Sequence, residues 1–198
     1  MNFIFRFFLI ISFLVFTFVL CLISFTRASF IDITNNNNMD LARTIPFSVT
    51  YLKPDGQSMI YIYKVPGSKV KVNNPLYILK RIRDYYWLVF SKGYLAKAQM
   101  SLFLADKKFS ESTQFLKTNQ LKYTIVSVKQ AFDKLQYAQY LFGKTDLPKD
   151  HELQQKIIQA GLVYEEVLKS FCSNNSQLNQ LINQIENWND NQQIYKLN

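Results

Sequence analysis

The sequence predicts an all-α fold, an antiparallel helical bundle of coiled-coil-like hairpins, with a small β-hairpin after an N-terminal transmembrane helix. Three observations carry that expectation. Apolar residues recur at alternating steps of three and four through most of residues 95–195, the spacing that stripes one face of a helix. Two short β-type runs flank a Pro-Asp-Gly turn, and the first 25 residues hold 8 of the chain's 17 phenylalanines.

The N-terminal segment comes first. From Phe7 to Phe25 the run FFLIISFLVFTFVLCLISF is broken only by Ser12, Thr17 and Ser24. About 20 apolar residues in a helix span a hydrocarbon core of ~30 Å. Residues 1–28 therefore read as a transmembrane anchor or a signal segment, with residues 3–25 as the membrane contact. Thr26-Arg27-Ala28 offers the small residues of a cleavage site after Ala28, whereas the length of the apolar run favours an uncleaved anchor. Arg6 and the terminal amine lie on one side. Arg27 and Arg43 lie on the other, offset by Asp32 and Asp40. This slight bias favours a single-pass cell-membrane protein with its C-terminal part extracytoplasmic, or a secreted one if cleaved.

Residues 29–45, with the Asn35–Asn38 run, read as a spacer. Residues 46–66 read as the hairpin. Phe47–Leu52 and Met59–Tyr63 are the strands, and Lys53-Pro54-Asp55-Gly56 is the turn. Residues 67–198 form the bundle, opened by Asn73-Asn74-Pro75 as a helix start. Leu95, Ala98, Leu102, Ala105, Phe109, Ser112 and Leu116 make one stripe; Leu121, Ile125, Val128, Phe132, Leu135 and Phe142 make the next. Leu153, Ile157, Ala160, Tyr164, Val167 and Phe171 follow, then Leu178, Leu181, Ile185, Trp188 and Tyr195. Breaks fall near Thr118-Asn119, at Gly143 to Pro148 and at Ser173 to Ser176. Connections this short make neighbouring helices antiparallel.

The net charge of +9 is concentrated. Residues 64–97 carry eight basic residues against Asp84 alone, a local +7. Lys80, Arg81, Arg83, Lys92 and Lys97 alternate there with Tyr85, Tyr86, Trp87, Phe90 and Tyr94. Basic and aromatic residues together suit an anionic membrane surface, where each basic group contributes about 1 kcal/mol. Lys80, Arg81, Arg83, Lys92, Lys97, Tyr85 and Trp87 are the candidate binding residues, with anionic lipid or wall polymer as the client. Nucleic acid is not expected outside a cell. The plainer account packs Leu76, Tyr77 and Leu79 on the bundle and leaves Lys80, Arg81 and Arg83 solvated.

Chemistry finds little footing. His151 is the single histidine, and a zinc site needs three or four ligands. Glu165 and Glu166 are adjacent on a helix and diverge, as do Asp106 and Glu111, five apart. No Gly-rich phosphate loop and no helical Ser-x-x-Lys occurs. Cys21 lies in the greasy segment, far in sequence from Cys172, so no intramolecular disulfide is expected. Asn174-Asn175-Ser176 fits a glycosylation sequon, and its simpler role is to cap the last helix. Neither catalysis nor a cofactor is expected.

Val65-Pro66-Gly67 followed by Asn74-Pro75-Leu76-Tyr77-Ile78-Leu79-Lys80-Arg81 resembles the bacterial envelope family called domain of unknown function 5667. Lys97-Ala98 and Leu104-Ala105-Asp106-Lys107-Lys108-Phe109 resemble its second block. The likeness spans about residues 64–142, with Lys-Val-Asn-Asn in place of the family's Leu-Pro-Asp before the proline. It implies an envelope-facing helical domain without known activity. The expected function is thus a membrane-tethered extracytoplasmic binding or scaffold module. The alternative is a purely structural or oligomerising coiled-coil protein, its last two helices binding a partner or a second copy.

Overall fold

Apolar striping at helical spacing becomes a mostly helical bundle with one two-stranded sheet. The computed structural model describes residues 8–20, 44–52, 58–67, 76–148, 151–171 and 175–194. Among them the order is α1 (8–20), β1 (Thr44–Leu52), β2 (Ser58–Pro66), α2 (Leu76–Phe90), α3 (Gly93–Lys117), α4 (Leu121–Phe142), α5 (Glu152–Ser170) and α6 (Ser176–Ile194).

Helix α1 lies inside the apolar N-terminal segment and is exposed on nearly every face. Its polar Thr17 returns its hydroxyl to the Phe13 and Leu14 carbonyls at 2.9 Å, which hides a donor that an apolar medium could not satisfy. Among the described residues no helix is long and apolar enough to cross a membrane. The rest of the expected span, 3–7 and 21–25, lies outside the described residues. So do the cleavage site at Ala28, the Asn35–Asn38 run, the 53–56 turn and the 73–75 helix start.

The hairpin is antiparallel, pairing Thr44 with Pro66 and Phe47 with Tyr63, and so begins two residues before the expected boundary. Two strands alone are marginal in water, and this pair leans on the helices. Alternation sends Tyr63 and Val65 inward while Ile62 and Lys64 face out. The Phe47 ring meets Phe109 edge-on at 5.9 Å.

Helix α3 is the central element, packed on α4 and touched by α2, α5 and the sheet. Its stripe Ala98, Leu102, Ala105, Phe109 and Ser112 is buried, as the spacing predicts. Small residues let α4 approach closely, and the Ser101 hydroxyl donates to the Lys134 carbonyl across the seam at 2.8 Å. The hairpin turns at Asn119, whose φ of 56° is a left-handed conformation that asparagine tolerates. One break went unforeseen: α2 and α3 part at Gly93, whose φ of +80° excludes an ordinary side chain.

Helices α5 and α6 close the core with Ile157, Leu168, Leu178 and Ile185, all fully buried. Each such side chain contributes about 1.5–3 kcal/mol. Val167 and Trp188 pack partly against them, whereas Phe171 sits 40% exposed past the end of α5 and leaves its predicted stripe. Tyr195 lies outside the described residues. His151 is the α5 N-cap, its Nδ1 accepting from the Leu153 N–H at 3.1 Å. Asn175 does the same for α6, accepting from the Leu178 N–H at 3.1 Å. Gly161 gives α5 room for Trp188 and Asn189, which occupy the place a Cβ would take.

Candidate functional site

Helix α2 has two faces, and the surprising one points inward. A 15-residue helix with apolar and charged sides normally buries the apolar side. Here Tyr77, Lys80, Asp84 and Trp87 face α3, while Ile78, Leu79, Ile82, Tyr85, Tyr86, Val89 and Phe90 are exposed. Ile78 and Tyr85 each show 65% of their surface. Tyr86 and Phe90 stack at 5.7 Å on that outer face. The expectation that Tyr77 and Leu79 pack inward while Lys80, Arg81 and Arg83 stay solvated holds for Tyr77 and Arg81 and is reversed for Leu79 and Lys80, with Arg83 half-buried.

The reversal has a cause in α3, which presents Lys107, Lys108 and Glu111 along the contact. Lys80 pairs with Glu111, and both are under 9% exposed. Lys108 Nζ reaches the same carboxylate at 2.8 Å and donates to the Tyr77 hydroxyl at 2.7 Å. Burial alone would push the Glu111 carboxyl up, but Lys108 and Lys80 outweigh it and hold it below the usual range. A second group lies about one turn along. Asp84 accepts from Lys107 at 3.0 Å and from Arg83 at 2.8 Å. The Arg83 guanidinium also lies over the Trp87 ring, 4.4 Å from its centre. Burial pulls the Lys107 amine down to about 8, against the opposing pull of Asp84.

Of these groups, Asp84, Lys107, Lys108 and Glu111 line a cleft of about 360 Å³ between α2, α3 and α4. Arg81, Tyr85 and Leu88 form the α2 wall; Leu104, Lys107, Lys108 and Glu111 the α3 wall; Gln130, Asp133 and Lys134 the α4 wall. The cleft shares Tyr85 with the exposed apolar face.

The structure thus divides the seven predicted residues. Lys80 and Arg83 are spent on internal ion pairs, so Lys80 is not a surface cation. Trp87 is half-buried beneath Arg83 and Lys107. Arg81, Tyr85 and Lys92 are exposed, and Lys97 is half-exposed beyond Gly93. Sequence reasoning missed Lys107, Lys108, Glu111 and Lys134. Their signal was present only as charge near the middle of α3 and α4, without any indication of which helix would meet it.

A separate polar site lies deeper. Asp106 is buried and accepts from the Tyr164 hydroxyl at 2.7 Å and from the Tyr63 hydroxyl at 2.9 Å. Burial raises its carboxyl to about 7, and the two hydroxyls only partly offset this. Tyr164 also stacks on Phe109 with ring centres 4.0 Å apart. This site joins β2, α3 and α5. Among the described residues no three His, Cys, Asp or Glu side chains gather as a metal-holding group.

Comparison with protein-family models, curated proteins and solved structures finds no match for the chain.

Proposed function

We propose that this chain is a membrane-tethered, extracytoplasmic helical binding module of a bacterial envelope, and that α2 is its membrane-contacting surface. One observation carries the reading: α2 spends its charges on α3 and leaves seven apolar or aromatic side chains facing solvent. A contiguous apolar face of this kind marks an interaction surface. Its cationic neighbours Arg81 and Lys92 are exposed, while its single acid, Asp84, is neutralised from inside. Tyrosine and phenylalanine beside Arg and Lys suit the headgroup boundary of an anionic bilayer. The Phe-rich N-terminal segment supports the tether. The oligomeric alternative placed its partner surface on the last two helices, whose apolar stripes are largely turned inward.

Lipid contact is testable in the full-length chain. A Phe90→Trp variant in vesicles with brominated acyl chains should lose indole fluorescence beyond wild type when phosphatidylglycerol is present, and regain it in high salt. Equal fluorescence of variant and wild type in every vesicle would sink the reading.

A further inference from the structure

We infer that the α2–α3–α4 cleft is a binding site for a phosphate group, as a free anion or as the headgroup of an anionic lipid. The argument begins with charge. Four basic groups, Arg81, Lys107, Lys108 and Lys134, line the cleft with three carboxylates, Asp84, Glu111 and Asp133, while Lys80 and Arg83 reach Glu111 and Asp84 from outside the lining. Glu111 is already shared by Lys80 and Lys108, and Asp84 by Lys107 and Arg83. The lining alone keeps an excess of one positive charge, and the two cations behind it leave Asp84 and Glu111 fully neutralised.

Lys134 is the half-buried member of that set without an ion-pair partner among the described residues. Burial, with nearby Lys108, pulls its amine below the ordinary lysine value, and the more distant carboxylates of Asp84 and Asp133 only partly oppose this. Among the described residues no carboxylate lies within ion-pair distance of it, and the same holds for exposed Arg81. A half-buried amine with no direct ion pair is a place where a bound anion would stabilise the fold.

The donor types along the lining also suit an oxyanion. Arg81 offers a planar fork, which matches phosphate oxygens in pairs, and Lys107, Lys108 and Lys134 offer point charges from two other helices. Cleft volume matches a small headgroup. Tyr85, Leu88 and Leu104 add an apolar wall that continues into the outer face of α2. A phosphate ester could therefore keep its charge in the cleft and its hydrocarbon along α2. This inference rests on the reading of α2 as a membrane surface for the lipid source, whereas the charge argument alone covers the free anion.

The test uses full-length protein in an uncharged detergent, so that no bilayer is needed. Inorganic phosphate and dihexanoyl phosphatidylglycerol are titrated by calorimetry into wild type, Lys134→Gln, Arg81→Gln and, outside the cleft, Lys92→Gln. Affinity should fall about tenfold or more in either cleft variant, equivalent to about 1.4 kcal/mol, and stay unchanged in Lys92→Gln. Without ligand, Lys134→Gln should melt no lower than wild type, because it removes an unpaired half-buried charge. Binding of inorganic phosphate would identify a free-anion site; binding of phosphatidylglycerol alone would identify a headgroup site. The proposal is overturned if neither probe binds in the millimolar range, or if the cleft variants bind like wild type. Loss of fluorescence quenching at position 90 with phosphate binding intact would remove the membrane reading and leave the cleft.

Discussion

Helices α2 and α6 are each amphipathic and each packs on the same bundle, yet they dock by opposite faces. Helix α6 buries Leu178, Leu181, Ile182 and Ile185 and keeps its charges outside, where Glu186 meets Lys169 at 2.9 Å. Helix α2 buries Lys80 against Glu111, pairs Asp84 with Lys107 at 3.0 Å, and turns Ile78, Ile82 and Phe90 outward. A helix therefore does not choose its inner face from its own pattern; the surface that receives it decides. The two dockings differ energetically too. Apolar burial stabilises in proportion to area, whereas buried ion pairs barely repay their desolvation but punish the loss of one partner heavily. The α6 seam supplies net stability. The α2 seam supplies register and orientation, and holds an apolar surface outward.

Breaking that contrast gives the largest expected effect. Glu111→Gln keeps the shape but leaves the buried Lys80 and the Lys108 amine without their carboxylate. It should destabilise the chain by about 3–5 kcal/mol, a large fraction of a typical total of about 5–15 kcal/mol. Lys80→Met in the same background should recover part of the loss, since it removes one of the stranded charges. Urea unfolding of the two variants against wild type checks this. A Glu111→Gln loss below 1 kcal/mol, with no gain from the second change, would mean water already solvates the cluster.

Most of the fold could be read from the chain. The stripes centred on Phe109, Leu135, Ile157 and Ile185 are buried as their spacing predicts, because apolar burial dominates packing and leaves a period-3.6 trace. The turn at Thr118-Asn119 and the capping role of Asn175 were legible for a similar reason: those residue types serve local backbone needs. The site was not. Lys80 looks like a surface cation until Glu111 is placed beside it, and Asp84 like a solvated acid until Lys107 is, and those pairings span 31 and 23 residues. Long-range ion pairs leave no periodic trace. Asp106 was read as one of two diverging carboxylates, which is true of its direction but silent on the tyrosines 43 and 58 residues away that hold it.

Asp106 sharpens the contrast through pH. Its carboxyl rises from 3.8 to about 7 in the fold. The folded state thus binds the proton more tightly than the unfolded chain, and this group's contribution to stability is complete below 3.8. It is lost as pH climbs towards about 7. Glu111 works in the other direction. Held below its ordinary 4.5, it contributes above that value and its contribution disappears as pH falls. Stability should therefore peak in mildly acidic solution. Asp106→Asn keeps one acceptor oxygen within reach of both the Tyr63 and Tyr164 hydroxyls and removes the ionisable group. It should flatten the decline towards neutral pH, leave the acid arm of Glu111 intact, and exceed wild-type stability at pH above about 7. Urea midpoints measured across pH decide it, and an unchanged neutral arm would show that Asp106 is ionised at little cost.

The smallest expected effect is the most informative about function. Ile82→Gln changes a side chain that is 44% exposed and lies opposite the ion-paired seam. Placed in the core, the same change would cost several kcal/mol; here stability should move by no more than about 0.5 kcal/mol, as for other surface substitutions. In α6 the corresponding change, Ile185→Gln, should unfold the chain, since Ile185 is fully buried. If the outer face of α2 meets a bilayer, Ile82→Gln should also reduce quenching of a Trp at position 90 by brominated lipid, with its urea midpoint unmoved. A large loss of stability would instead mean that this face is covered by protein in solution, by the N-terminal segment or by a second copy, and concentration-dependent mass would tell those two apart. Stability and contact are separable on α2 because the helix is held by one face and exposed on the other.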